Sequence, residues 1–130
     1  MIVVDTSALL LDEPGAETIA DILANDADVS ISAVTLAEAR IVAARRGLAA
    51  EMADLTEGLG FDVEAATADT AKRVAEAYAV WGKWTHPAAL NLGDFFAYVT
   101  AMSRRAPLLY VGEDFAKTGV QGAMPRSTTG

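Results

Sequence analysis

Short apolar runs rich in Val and Ile alternate along the chain with longer stretches in which apolar residues recur at helical spacing. The runs at 2–4, 29–32 and 108–111 are too short for helices and read as strands, with a weaker one at 61–63. Between them the pattern predicts helices. One runs from Ser7 to near Pro14, and a second is opened by Pro14 and Gly15 and continues to about Ala24. Ser32 caps a third over 33–46, with Gly47 as its stop, and 48–59 forms a fourth closed by Gly58 and Gly60. Thr67 caps a long helix to about Trp81, in which Ala71, Val74, Ala75 and Tyr78 share one face. Residues 82–90 read as a loop, and Asn91 starts a helix over 92–104. Strands alternating with helices imply a doubly wound α/β sandwich with a parallel sheet, in which ligands bind beyond the carboxyl ends of the strands.

That edge of the predicted sheet is where four acids fall. Asp5 follows the first strand, and Asp114 follows the last after a Gly112-Glu113 turn; Glu38 and Asp94 lie early in two intervening helices. Each has a local explanation as well. Asp5 suits a helix cap. Asp94, three residues after Asn91, can reach back to the Asn91 backbone in a capping-box variant. Asp114 is ordinary in a turn. Glu38 borders an apolar stripe formed by Val34, Ile41 and Val42, which makes simple solvation harder to accept. Taken together, carboxylates gathered at one edge repel one another and cannot all stay ionised without a cation. Oxygen donors without thiolate point to a hard divalent ion.

Composition bounds this reading. The 130 residues make one domain, residues 1–121, with a small polar tail over 122–130 expected to fray. An apolar fraction of 52% argues against disorder and suggests that some helix surface is covered by a second chain. The absence of cysteine excludes disulfides, Cys-type zinc sites and thiol nucleophiles. The first residues lack the basic and long apolar regions of a secretory signal, and no apolar run reaches the ~20 residues of a membrane span, so a cytoplasmic protein is expected. A net charge of −8 runs against nucleic-acid binding. Bound cations and local clusters, however, set the field that a phosphate meets.

The chain resembles the PIN-domain ribonucleases, and among them the VapC toxins of bacterial toxin–antitoxin pairs. The resemblance is carried by Val4-Asp5-Thr6-Ser7-Ala8-Leu9, by Ala37-Glu38, and by His86-Pro87-Ala88-Ala89-Leu90-Asn91-Leu92-Gly93-Asp94-Phe95-Phe96-Ala97-Tyr98. Its last segment is Pro107-Leu108-Leu109-Tyr110-Val111-Gly112-Glu113-Asp114-Phe115-Ala116-Lys117-Thr118-Gly119-Val120. It implies a three-layer α/β/α sandwich on a parallel sheet of four to five short strands. It also implies that Asp5, Glu38, Asp94 and Asp114 form an acidic quartet holding Mg²⁺ or Mn²⁺, with the hydroxyl of Thr6 or Ser7 beside it. Many relatives carry an Asp where this chain has Gly119. The implied partners are RNA of the tRNA or rRNA class, a VapB-type antitoxin and a second copy of the chain.

A divalent ion on such carboxylates lowers the pKa of a water and neutralises charge on a phosphodiester, and two ions can stabilise both the attacking and the leaving oxygen. Lys117, close behind the last acid, and Lys83 are candidate phosphate contacts. Arg45-Arg46 and Arg104-Arg105 sit at helix C-termini, where cations complement the macrodipole whatever the function. Trp81, Trp84 and His86 could stack on or contact bases, or simply pack over their loop. Two other functions fit the same residues: a PIN nuclease of RNA processing unconnected with toxins, and a catalytically silent acidic module binding a basic protein segment.

Overall fold

The computed structural model describes residues 1–9, 16–26, 28–82, 90–111, 115 and 118–123. In chain order they form β1 (Ile2–Val4), α1 (Thr6–Leu9), α2 (Ala16–Asn25), β2 (Val29–Ser32), α3 (Ala33–Arg45), α4 (Ala49–Gly58), β3 (Asp62–Glu64), α5 (Ala68–Trp81), α6 (Leu92–Arg104) and β4 (Leu108–Leu109). The strands make one parallel sheet in the order β3-β2-β1-β4. The chain therefore steps from β1 outward through β2 and β3, then returns to the opposite side of β1. The reversal falls between β1 and β4, the place where such sheets leave a crevice for ligands.

Alternation along the strands sorts the apolar residues into two cores. Val3 and Leu108 face one side, where they pack with Leu90, Phe95, Val99 and Ala101, beneath α6 and α5. Ile2, Val4, Val29, Ile31 and Leu109 face the other, against Ile19, Leu23, Ala39, Ala43 and Met52 of α2, α3 and α4. Helices thus cover both faces, giving the expected three-layer sandwich.

Most element boundaries match the sequence pattern, because the caps that set them are local. Ser32 accepts the Val34 amide at 3.2 Å to start α3, and Gly47, at φ +74°, ends it in a backbone conformation that side-chain-bearing residues avoid. Thr67 and Thr70 form a reciprocal capping box at the head of α5.

Several expectations change. In α3 the fully buried positions are Thr35, Ala39 and Ala43, whereas Ile41 is 54% exposed; small side chains let this helix lie close on the sheet, so the bulky stripe is not the buried one. In α5 only Val74 of the Ala71–Val74–Ala75–Tyr78 face is buried. That face, with Leu92 and Phe96 of α6, instead lines an open apolar groove of about 480 Å³. The residues expected to fray begin with Gly122, which forms a parallel bridge to Leu108. Gln121 and Ala123 hydrogen-bond Leu108 from either side, at 2.8 and 2.9 Å, because β4 is the edge strand and its outer backbone groups need partners. Residues 124–130 lie outside the described part.

β3 is set one residue later than expected, at Asp62–Glu64, in register with Ser30, Ile31 and Ser32 of β2. This places Asp62, Glu64 and Ser30 on the α6 side of the sheet. There Arg104, in the last turn of α6, donates to Ser30 Oγ at 2.6 Å, Asp62 at 2.9 Å and Glu64 at 3.0 Å. Its role is to clamp α6 to two strands, beyond any interaction with its own helix end. Arg104→Ala removes these charge-assisted bonds and leaves two carboxylates adjacent. The expected loss is about 2 kcal/mol in urea unfolding, with metal affinity unchanged because the clamp lies at the helix end away from Asp94.

Candidate acidic active site

Asp5 stands at the carboxyl end of β1, on the crevice, and is only 4% exposed. Its backbone amide still pairs with Leu109 of β4 at 3.0 Å, while its carbonyl and carboxylate already belong to α1. Oδ2 accepts the Ser7 amide at 3.1 Å and the Ser7 hydroxyl at 2.6 Å, so the acid both caps α1 and is held in one orientation. Burial raises its pKa above the usual aspartate value, although the Ser7 side-chain and backbone bonds and the Thr6 amide pull the other way. Desolvation wins.

The two neighbouring hydroxyls have different tasks. Ser7 Oγ also accepts the Val111 amide at 3.0 Å, tying the chain leaving β4 to the acid that ends β1. Thr6 turns away and donates to the Thr35 carbonyl at 3.3 Å, linking α1 to α3.

Glu38 reaches in from α3 and is half-buried. Its pKa is raised by burial first, then by the charges of Asp94 and Asp5. Its carboxylate lies against Gly93 at the head of α6: a Cβ built there would stand 2.6 Å from Oε1, 2.7 Å from Cδ and closer still to Oε2. The positive end of a helix favours a nearby anion, so this position offers Glu38 some compensation for its burial. Asp94, third residue of α6, is half-buried and accepts the Asn91 amide at 2.9 Å through Oδ2. The capping reading of Asp94 therefore holds, and its charge reaches Glu38 as well.

Three of the four acids singled out from the sequence thus meet within electrostatic reach of one another. Asp114, Lys83 and Lys117 lie outside the described residues, as do Trp84 and His86. Gly119 is described, and an added Cβ there would meet nothing within 4 Å, so an Asp could be accommodated. Sequence reasoning missed Gly93; the signal available was a glycine in the first turn of a helix, where alanine is intrinsically preferred.

The chemistry of the donor set suits a hard divalent cation: three carboxylates, of which Glu38 is disfavoured as an anion by burial and by the charges of the other two. Among the described residues neither Asp5 nor Glu38 has an ion-pair partner. Among those residues, too, no group of three or more His, Cys, Asp or Glu side chains is placed to hold an ion by itself.

Comparison with known proteins places this arrangement in a family. The PIN-domain family model matches residues 2–121. The chain is 42% identical to VapC ribonuclease Mb0625 of Mycobacterium bovis and to Ribonuclease VapC28 of Mycobacterium tuberculosis, over 95% of its own length and 98% of theirs. Its fold superposes on the crystal structure of Mycobacterium tuberculosis VapC20, described as a sarcin–ricin loop cleaving toxin. The TM-score is 0.77 at 21% identity, covering 96% of this chain and all of that one. It also superposes on a toxin–antitoxin complex from Klebsiella pneumoniae, with a TM-score of 0.69 at 20% identity, covering 92% and 93% of the two chains. The chain belongs to the PIN-domain family, on the VapC ribonuclease branch.

The raised Glu38 pKa has a consequence for stability. A carboxyl group whose pKa is higher folded than unfolded contributes fully below the unfolded value, and that contribution is lost as pH rises through the folded value. Without metal, Glu38→Gln is therefore expected to raise the melting temperature at pH 7, by an amount that solvent screening of this half-exposed group keeps small. The gain should vanish below pH ~4, where the wild-type side chain is also neutral. Thermal unfolding in EDTA across this range measures it.

Proposed function

We propose that the protein is a toxin endoribonuclease that hydrolyses RNA phosphodiester bonds with Mg²⁺ or Mn²⁺ held by Asp5, Glu38, Asp94 and Asp114. The observation that carries this reading is the gathering of Asp5, Glu38 and Asp94 at the β1–β4 switch point with their charges unfavourably coupled. A bound divalent ion would relieve that repulsion, polarise the phosphate and bring water to nucleophile strength near neutral pH.

The chain's own residues supply position. Ser7 holds the Asp5 carboxylate and, through the Val111 amide, fixes where the segment bearing Asp114 departs from the sheet. Asn91 fixes Asp94, and Gly93 admits Glu38 beside it. Lys117 and Lys83 are the proposed contacts to RNA phosphates, and Thr6 and Ser7, next to Asp5 in the chain, are proposed to contribute to substrate binding.

The relatives' names support the nuclease class, and the partner present in the Klebsiella complex supports an inhibitory antitoxin for this chain as well. We extend the proposal to tRNA or rRNA as substrate class, to a VapB-type antitoxin, to a homodimer and to the cytoplasm. Among the described residues no helix is long and apolar enough to cross a membrane.

Asp5→Asn, Glu38→Gln and Asp94→Asn are each expected to reduce Mn²⁺-dependent RNA cleavage at least about 100-fold, the scale of losing electrostatic stabilisation in the transition state. EDTA should abolish it, and induction of the variants should no longer arrest growth. Arrest by the variants as strong as by the wild type would reject catalysis. Cleavage without arrest would favour the RNA-processing nuclease, and metal-independent binding of a basic segment without cleavage would favour the silent module.

A further inference from the structure

Gly93 occupies the second position of α6, where a glycine weakens a helix and an alanine would strengthen it. Nothing in its backbone demands glycine, since it is not among the residues of positive φ. What an added Cβ would meet first is the carboxylate of Glu38, with both oxygens and Cδ well inside the ~3.5 Å of ordinary contact.

We propose that Gly93 is a positioning residue: its missing side chain is the space in which the Glu38 carboxylate stands beside Asp94. The inference rests on Glu38 being a metal ligand, as proposed above.

The physical argument separates position from stability. The clashing atoms are the far end of a flexible side chain, which can swing away at little cost. Gly93→Ala therefore keeps the fold and gains helix propensity, while Glu38 is displaced from the other two acids. A glycine needed only for packing would behave in the opposite way, with a loss of stability on substitution. Glu38→Asp withdraws the carboxylate by one methylene, away from position 93. In the native background it then falls short of its neighbours, whereas beside Ala it removes the overlap. The two substitutions are accordingly coupled, and a double-mutant cycle reads the coupling directly.

The test is Mn²⁺ binding to the full chain by calorimetry, with melting temperatures of the same proteins in EDTA. Gly93→Ala is expected to bind Mn²⁺ at least tenfold more weakly than wild type, with a melting temperature equal to or above it. The Gly93→Ala/Glu38→Asp pair should bind no worse than Gly93→Ala alone. Native Mn²⁺ affinity in Gly93→Ala, or a lowered melting temperature, overturns the positioning role. Glu38→Gln serves as the control for the parent reading. If it binds Mn²⁺ as wild type does, the metal assignment of Glu38 fails and this inference with it; if it weakens binding while Gly93→Ala does not, the positioning role alone fails.

Discussion

The constraint on which the site depends is the repulsion among carboxylates taken partly out of water. Asp5 is nearly fully buried, Glu38 is half-buried, and Glu38 feels the charges of both Asp94 and Asp5. Burial of ionised groups without compensation is costly. Here it is met in part by local donors: Ser7 for Asp5 and the Asn91 amide for Asp94. Those bonds orient the acids and lower their individual cost, but they add no positive charge. Among the described residues Asp5 and Glu38 have no ion-pair partner, and a protein whose total charge is −8 retains a reason to attract a cation to this edge.

The sheet order turns this local chemistry into a site. Only because β4 returns to the open side of β1 does the end of β1 face a crevice. The two core layers then bring α3 from one face and α6 from the other, so that Glu38 and Asp94 approach the same edge from opposite sides of the sheet. At the other end of α6, Arg104 ties the helix to Ser30, Asp62 and Glu64. The clamp holds the far end of α6 on the sheet, while at the first turn Asp94 is oriented separately, by the Asn91 amide.

Much of this was legible in the sequence, for reasons that can be located. Helix starts at Ser32, Thr67 and Asn91 depend on side chains within a few residues, so they could be placed from composition alone. Asp5 and Asp94 could be read as caps, and the bonds of Ser7 to Asp5 and of the Asn91 amide to Asp94 agree; the charges of both also reach Glu38. The misplaced features depend on distant partners. Which face of α3 is buried was decided by how closely it must approach the sheet, in favour of Thr35, Ala39 and Ala43 over Ile41. The register of β3 places Asp62 and Glu64 on the side from which Arg104 comes, 40 residues or more along the chain. The α5 stripe was correctly periodic, yet most of it lines an open groove, because periodicity reports a face and not what covers it. Gly93 passed unnoticed since its meaning lies in a Glu38 carboxylate on another helix.

The most direct measurement of the central claim is anomalous X-ray diffraction from crystals of the protein grown or soaked with Mn²⁺. A manganese peak bounded by oxygens of Asp5, Glu38 and Asp94 is the predicted result. Full occupancy by manganese elsewhere, with these three carboxylates empty, would contradict the account.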